Sequence, residues 1–247
     1  MKVLAIIPAR YQSSRFPGKP LIDIMGKTMI QRVYEQTSLS KIVNTVVVAT
    51  DDQRIFDHVT EFGGEVLMTS EHHSSGTERC GEVIQSYPDY DVIINIQGDE
   101  PLINPEQIDL VLAQFEDDQV EIATMVKAMT DVSEVVNPNR VKVVLNHNNE
   151  GVYFSRSPIP YFVGTPQSEW LNNAIFWKHI GIYAWKRATL TKILTYGQTN
   201  LEKQESLEQL RWIYYGHDIK TVETTIETPN IDTPEDLEKV LSILKSK

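Results

Sequence analysis

Over its first 125 residues, this chain alternates short apolar runs with stretches patterned like helices, and this alternation is the feature that most constrains its fold. The apolar runs are VLAIIPA (3–9), NTVVVAT (44–50), EVLMT (65–69), DVIINIQ (91–97) and EIATMVKA (121–128). The first is apolar at almost every position, as expected of a strand covered on both faces. Residues 28–39 place Met29, Ile30, Val33 and Tyr34 on one helical side. Asp51-Asp52 cap a helix running through His58, and Gly63-Gly64 end it. Residues 76–86 read as a third helix, and Ile108, Val111, Leu112 and Phe115 mark a fourth by their i, i+3, i+4, i+7 spacing. Strand and helix alternating in this way predict a mostly parallel sheet with helices on both faces. Ligands of such sheets sit at the carboxyl ends of the strands, so the loops after residues 8, 50, 69 and 97 are the candidate site.

The second half is less regular. VKVVLN (141–146) and GVYFSR (151–156) are predicted to pair across the turn His147-Asn148-Asn149-Glu150. Residues 157–173 read as a polar, proline-containing loop and HIGIYAW (179–185) as a strand. Helices follow over 187–195 and 203–215, then a late strand over 218–224. Leu237, Val240, Leu241 and Leu244 give a C-terminal helix one apolar side. The expectation is one domain over 1–247 with an inserted smaller α+β lobe over about 130–215. A single cysteine, Cys80, excludes an intrachain disulfide and a cysteine-based zinc site, which suits a reducing cytoplasm. With 34 acidic against 23 basic residues, the formal net charge of −11 disfavours nucleic acid and anionic membrane as partners. No apolar run approaches the roughly 20 residues of a membrane span, and the N-terminal one is too short for a signal peptide.

Against that acidic background, PARYQSSRFPGKPL gathers Arg10, Arg15 and Lys19 directly after the first strand, with Ser13 and Ser14 between them. Cations and loop amides at a strand's carboxyl end suit a triphosphate, although neither a Walker loop nor a G-x-G-x-x-G fingerprint is present. The alternative is a solvated loop with scattered cations. HHSSGTERCGEV opens the third helix with Ser75 or Thr77 as its cap, and its small groups could equally meet a pyrimidine edge. His72 and His73 are adjacent and do not face the same way, and Cys80 reads as a packed apolar side chain. INIQGDEP puts Asp99 and Glu100 at a strand tip, where Gly98 admits a close ligand. Such a carboxylate facing the cationic loop suits Mg²⁺, and the alternative is a turn aspartate before Pro101. In NIDTPEDLEKV, Thr233, Pro234 and Asp236 are accounted for as a helix start, which leaves Asp232 unexplained.

IIPARYQSSRFPGKPL resembles the signature of nucleotidyltransferases that activate acidic sugars, in particular the CMP-Kdo synthetase (3-deoxy-manno-octulosonate cytidylyltransferase) family. It differs from the GxGTRM-type loop of hexose-1-phosphate uridylyltransferases and lacks the Arg-x-Gly-Ser-Lys of CMP-sialic acid synthetases. The resemblance spans residues 3–240, with Phe16 and Cys80 where Leu is common and a divergent loop over 163–176. It implies a Rossmann-like nucleotidyltransferase sheet. It also implies that Arg10 and Lys19 grip the CTP phosphates, with Ser13, Ser14 and Arg15 assisting and Pro8 and Ala9 beside them. Ser75, Gly76, Thr77, Gln97 and Asp99 complete the implied nucleotide site, and QGDEP and DTPEDL make Asp99 and Asp232 ligands of Mg²⁺. Blocks resembling HxSGTER, YFSRSPIP, HxGIYxY and LEQLR imply sugar contacts from Arg79, Gln97, Arg156, His179, Tyr183, Glu208 and Gln209.

The implied reaction is CMP transfer from CTP to Kdo with release of diphosphate, catalysed by Arg10, Lys19, Asp99 and Asp232 without a covalent nucleophile. The resemblance further implies a cytoplasmic homodimer that serves lipopolysaccharide assembly. The inserted lobe would form its interface, and Tyr161, Phe162, Trp170, Phe176 and Trp177 are candidates to cover it. Alternatives are the same chemistry on an amino-Kdo or a sialic acid, and a non-catalytic nucleotide-binding regulator.

Overall fold

The computed structural model describes residues 1–12 and 16–246. Its strands are β1 (Val3–Ala9), β2 (Thr45–Thr50), β3 (Val66–Met68), β4 (Val92–Asn95), β5 (Ile122–Ala128), β6 (Lys142–Leu145), β7 (Gly151–Ser155), β8 (Trp177–Lys186) and β9 (Lys220–Glu223). Its α-helices are α1 (Met29–Ser38), α2 (Gln53–Glu61), α3 (Gly76–Ser86), α4 (Pro105–Ala113), α5 (Val132–Val136), α6 (Trp170–Asn173), α7 (Arg187–Ile193), α8 (Asn200–Glu205), α9 (Gln209–Tyr214) and α10 (Pro234–Lys245). They form two compact units: Met1–Asp109 with Lys186–Leu190 and Glu227–Lys247, and Leu110–Trp185 with Thr191–Ile226. The span expected for the inserted lobe, about 130–215, falls in the second unit except for Lys186–Leu190, which belongs to the first.

In the first unit four strands run parallel in the order β3-β2-β1-β4. The register pairs Ala9 with Thr50 and Ile6 with Asn95, so the strands' carboxyl ends share one edge. Val3 through Ile7 have no exposed surface, which is why β1 reads as unbroken apolar sequence. The crossover helices start where the sequence places a cap: Thr28, Asp52 and Ser75 accept from the backbone N–H groups of Gln31, Arg54 and Glu78. The chain's last stretch returns to this unit, where Ile231 and Val240 pack fully buried with Ile24 and Met29.

In the second unit β5 pairs antiparallel with β8 and parallel with β9, while β6 and β7 form the predicted hairpin. The helix predicted over 203–215 is two helices, because Ser206 takes a left-handed conformation (φ 50°). Glu205 causes the break, since its carboxylate accepts from Ser155 Oγ at 2.7 Å and from the Arg156 N–H at 2.9 Å. The stretch 157–173 is more than a loop: it ends in α6, whose Trp170 stacks on Phe176 with ring centroids 5.6 Å apart. Both rings are buried beside Met129 and Val135, so neither offers the exposed surface expected of them, whereas Tyr161 is exposed. Among the described residues no helix is long and apolar enough to cross a membrane.

Candidate active site

The loop after β1 folds back on itself. Gly18, at φ +72°, donates its N–H to the Tyr11 carbonyl at 2.9 Å, and a Cβ there would meet the Tyr11 ring. This turn delivers Lys19 to the tip of β4, where its Nζ donates to Asp99 Oδ2 at 2.9 Å and to Asp232 Oδ1 at 3.4 Å. Three remote sequence stretches therefore meet at one point. The last is tied to the second by the Ile231 N–H, which donates to the Asp99 carbonyl at 2.9 Å, and by Thr228 Oγ1, which donates to Glu100 at 3.2 Å. Burial and then the charge of Asp99 push the Glu100 carboxyl up to about 7. Thr233 and Asp236 form the predicted capping box. Gly98 is a requirement of close packing, since a Cβ on it would lie 2.7 Å from the Pro8 carbonyl oxygen.

Asp99 and Asp232 converge on the Lys19 ammonium, so the two carboxylates lie close enough to share a cation. Both are hard oxygen donors. Among the described residues no cluster of three or more His, Cys, Asp or Glu could hold a metal alone. Two carboxylates with the remaining positions open to water and phosphate oxygens is the set Mg²⁺ usually takes, so the residues fit that ion.

Arg10 donates to the His73 carbonyl, and its Nε lies 4.0 Å from Asp51 Oδ2. Asp51, which sequence reasoning assigned only to capping, sits between two arginines, and Arg79 Nη2 donates to it at 2.6 Å. The cap itself is Asp52 alone. Arg79 is fully buried and also bonds Thr69, so it braces the strand ends and presents no surface to a sugar. Its place in the block resembling HxSGTER was visible in the sequence, but its pairing with Asp51 was not. Ser75 is the cap of α3, and Gly76 lies against the Asn95 amide and Pro8. Thr77 is buried, Gln97 half-buried just past β4, and Pro8 and Ala9 close β1. Ser13, Ser14 and Arg15 lie outside the described residues.

The second unit holds most of the residues expected at the sugar. The His179 and Tyr183 rings are 5.2 Å apart, and Trp212 packs edge-on to Tyr183 at 4.9 Å. Gln209 is one helical turn before Trp212 and Glu208 just ahead of it. Burial, reinforced by the charge of Glu208, pushes the Tyr183 phenol well above its ordinary value. The Tyr183 hydroxyl is buried beside the Thr124 side chain, and Gln209 Nε2 is buried with no hydrogen-bond partner among the described residues. Burial holds the His179 ring down to about 3, so it is neutral, and its Nε2 lies 3.0 Å from Thr124 Oγ1. Arg156 differs from expectation. Its guanidinium donates to the carbonyls of Glu205, Pro138 and Ser206, at 2.7, 3.1 and 3.4 Å.

Residues 4–219 match the family model described as cytidylyltransferase. The chain is 53% identical over 252 residues to a 3-deoxy-manno-octulosonate cytidylyltransferase of Parabacteroides distasonis, with all of both chains covered. It is 51% identical to the enzyme of that name from Cytophaga hutchinsonii, over 97% of this chain and 96% of that one. A solved structure of CMP:2-keto-3-deoxy-manno-octonic acid synthetase complexed with CTP superposes with a TM-score of 0.93 at 43% identity, covering 100% of this chain and 99% of the other. A 4-diphosphocytidyl-2C-methyl-D-erythritol synthase from Anaerococcus prevotii, at 12% identity and a TM-score of 0.64, shares the fold.

Proposed function

Since the chain belongs to the 3-deoxy-manno-octulosonate cytidylyltransferase family, we propose that it transfers CMP from CTP to Kdo, giving CMP-Kdo and diphosphate. The observation that carries the reading onto these residues is the meeting of Lys19, Asp99 and Asp232 at the carboxyl ends of β1 and β4. In the reaction the anomeric oxygen of the sugar acid bonds to the α-phosphorus while the bond to diphosphate breaks on the opposite side. Most of what such a transfer asks of a protein is positioning and charge. Lys19 neutralises charge on the departing diphosphate, and Arg10, anchored to the His73 carbonyl, lies at the same strand edge to do so. Asp99 and Asp232 would hold Mg²⁺, which supplies Lewis-acid polarisation of phosphate oxygens. Ser75, Gly76 and Gln97 are the proposed base and sugar neighbours in the first unit.

His179, Tyr183, Glu208 and Gln209 are the proposed sugar contacts, and the buried Gln209 amide, whose Nε2 has no hydrogen-bond partner among the described residues, supports the assignment. Arg156 enters that set only with its guanidinium released from the three carbonyls that it now bonds. The reading extends to a cytoplasmic homodimer supplying lipopolysaccharide assembly, on family resemblance alone.

The test is diphosphate release with Mg²⁺, crossing the four common nucleoside triphosphates with Kdo, an amino-Kdo and a sialic acid. Release with CTP and Kdo alone is expected. Release with CTP and a different sugar acid keeps the chemistry and changes the substrate. CTP binding without release from any pair points to a regulator and overturns the proposal.

A further inference from the structure

Asp232 has its two oxygens turned to different partners. Oδ1 lies 3.4 Å from Lys19 Nζ, whereas Oδ2 accepts from Asn230 Nδ2 at 2.9 Å. Rotation about the last torsion of an aspartate is broad and roughly two-fold, so a carboxylate bonded through neither oxygen has no single orientation. A donor fixed on one oxygen removes that freedom and leaves the other presented.

Asn230 is itself well placed to hold steady. On one side of it, Thr228 Oγ1 donates to Glu100, and on the other the Ile231 N–H donates to the Asp99 carbonyl while the Ile231 side chain is fully buried. The amide thus belongs to a stretch fastened twice to the residues around Asp99. We infer that Asn230 is a positioning residue, whose amide holds Asp232 in the orientation that turns Oδ1 toward the cation position shared with Asp99. This rests on the proposed reading that the two carboxylates take a divalent cation. Asn230 touches neither nucleotide nor metal in this scheme and acts through Asp232.

Mn²⁺ is the probe, titrated by its paramagnetic resonance signal onto protein with CTP and no sugar acid, with CTP alone as the blank. The proteins are wild type, Asn230→Ala, Asn230→Gln and Asp232→Asn. Partners that orient metal ligands are typically worth 10- to 100-fold in affinity, so Asn230→Ala should bind Mn²⁺ about 10- to 100-fold more weakly. Its Mg²⁺ half-saturation in the assay should rise by the same factor, with KM for CTP at saturating Mg²⁺ unchanged. Asn230→Gln, which keeps a donor on a longer arm, should recover part of the loss. Asn230 is only half-buried, and melting curves check that each variant is folded. If Asp232→Asn loses Mn²⁺ while Asn230→Ala and wild type bind alike, the positioning role is overturned and the metal reading stands. If Asp232→Asn also binds like wild type, the metal reading is overturned and the inference with it.

Discussion

Burial lowers the pKa of two ionisable side chains, the half-buried His179 and the fully buried Lys142, whose polar partners differ. The His179 ring has the Thr124 hydroxyl as a polar partner and aromatic neighbours, with Phe154 at 5.1 Å and Tyr183 at 5.2 Å. Burial holds its pKa down to about 3, against 6.5 in an unfolded chain. Between those two pH values the unfolded chain takes up a proton that the native ring refuses. The stability this contributes is complete above pH 6.5 and drains as pH falls toward 3, by up to about 1.4 kcal/mol per pH unit. His179→Gln, which cannot titrate, should flatten the dependence of unfolding free energy on pH across that window in urea melts. An unchanged slope would place the acid sensitivity elsewhere. Lys142 Nζ instead donates to the carbonyls of Asn137, Arg140 and Arg156, at 2.9, 2.6 and 2.5 Å. Burial, with Arg156 nearby and only Glu205 opposing, brings its pKa down to about 8. Lys142→Met removes one ammonium and strands three carbonyls, each a loss of about 1–3 kcal/mol if buried and unmet. A total near 3 kcal/mol is expected by chemical denaturation, since some of the carbonyls will find water.

At the scale of elements, the parallel half was legible because β1, β2 and β4 are almost wholly buried and α1, α2 and α3 each begin at a capping side chain. The second half was less so, because its punctuation is tertiary. Nothing in LEKQESLEQLRW breaks helical periodicity, and the chain bends at Ser206 because Glu205 is held by β7. A valine at 206 would meet that left-handed backbone with a branched Cβ, so Ser206→Val should cost about 1–2 kcal/mol in a melt, whereas Ser206→Gly should be neutral or stabilising. The site divides in the same way. Position after an apolar run pointed to the cationic loop with Lys19 and to Asp99, whereas Asp232 stood out as the residue that a helix start left unexplained and took its role from the family resemblance. The burial of Arg79 against Asp51 and the grip of Asn230 on Asp232 depend on packing that no local pattern carries. Between these stands Gly98, whose role is legible in kind and decided by a distance. A methyl group there would lie 2.7 Å from a backbone oxygen of β1, which cannot rotate away. Gly98→Ala should therefore push the Asp99 tip off β1. Misplacement of about 1 Å at a reacting centre can cost 100-fold, so kcat/KM should fall at least tenfold in the diphosphate assay. Retained activity would mean that the tip adjusts freely.

For the molecule as a whole, the order in which the chain builds its first unit matters most. That unit is assembled from three separated stretches, and the last brings both Asp232 and the buried Ile231 and Val240. Site and core are thus closed by the same segment, and whatever ties Asp232 down also holds α10 onto Ile24 and Met29. Ligand binding should then appear as global stability. CTP with Mg²⁺ at 100 times its dissociation constant adds about 2.7 kcal/mol to the bound form. In a chain of this size each kcal/mol moves the melting temperature by roughly 2–4 °C. A rise of about 5–10 °C is expected by scanning calorimetry for the wild type. Asp232→Asn should keep the part of the rise that CTP gives without metal and lose the increment that Mg²⁺ adds. Ile231→Ala should lower the starting melting temperature, through a cavity costing about 2–4 kcal/mol, yet keep most of the ligand-induced rise because both carboxylates remain. If Asp232→Asn instead shows the full Mg²⁺-dependent rise, the third stretch supplies core alone, and the cation is held without it.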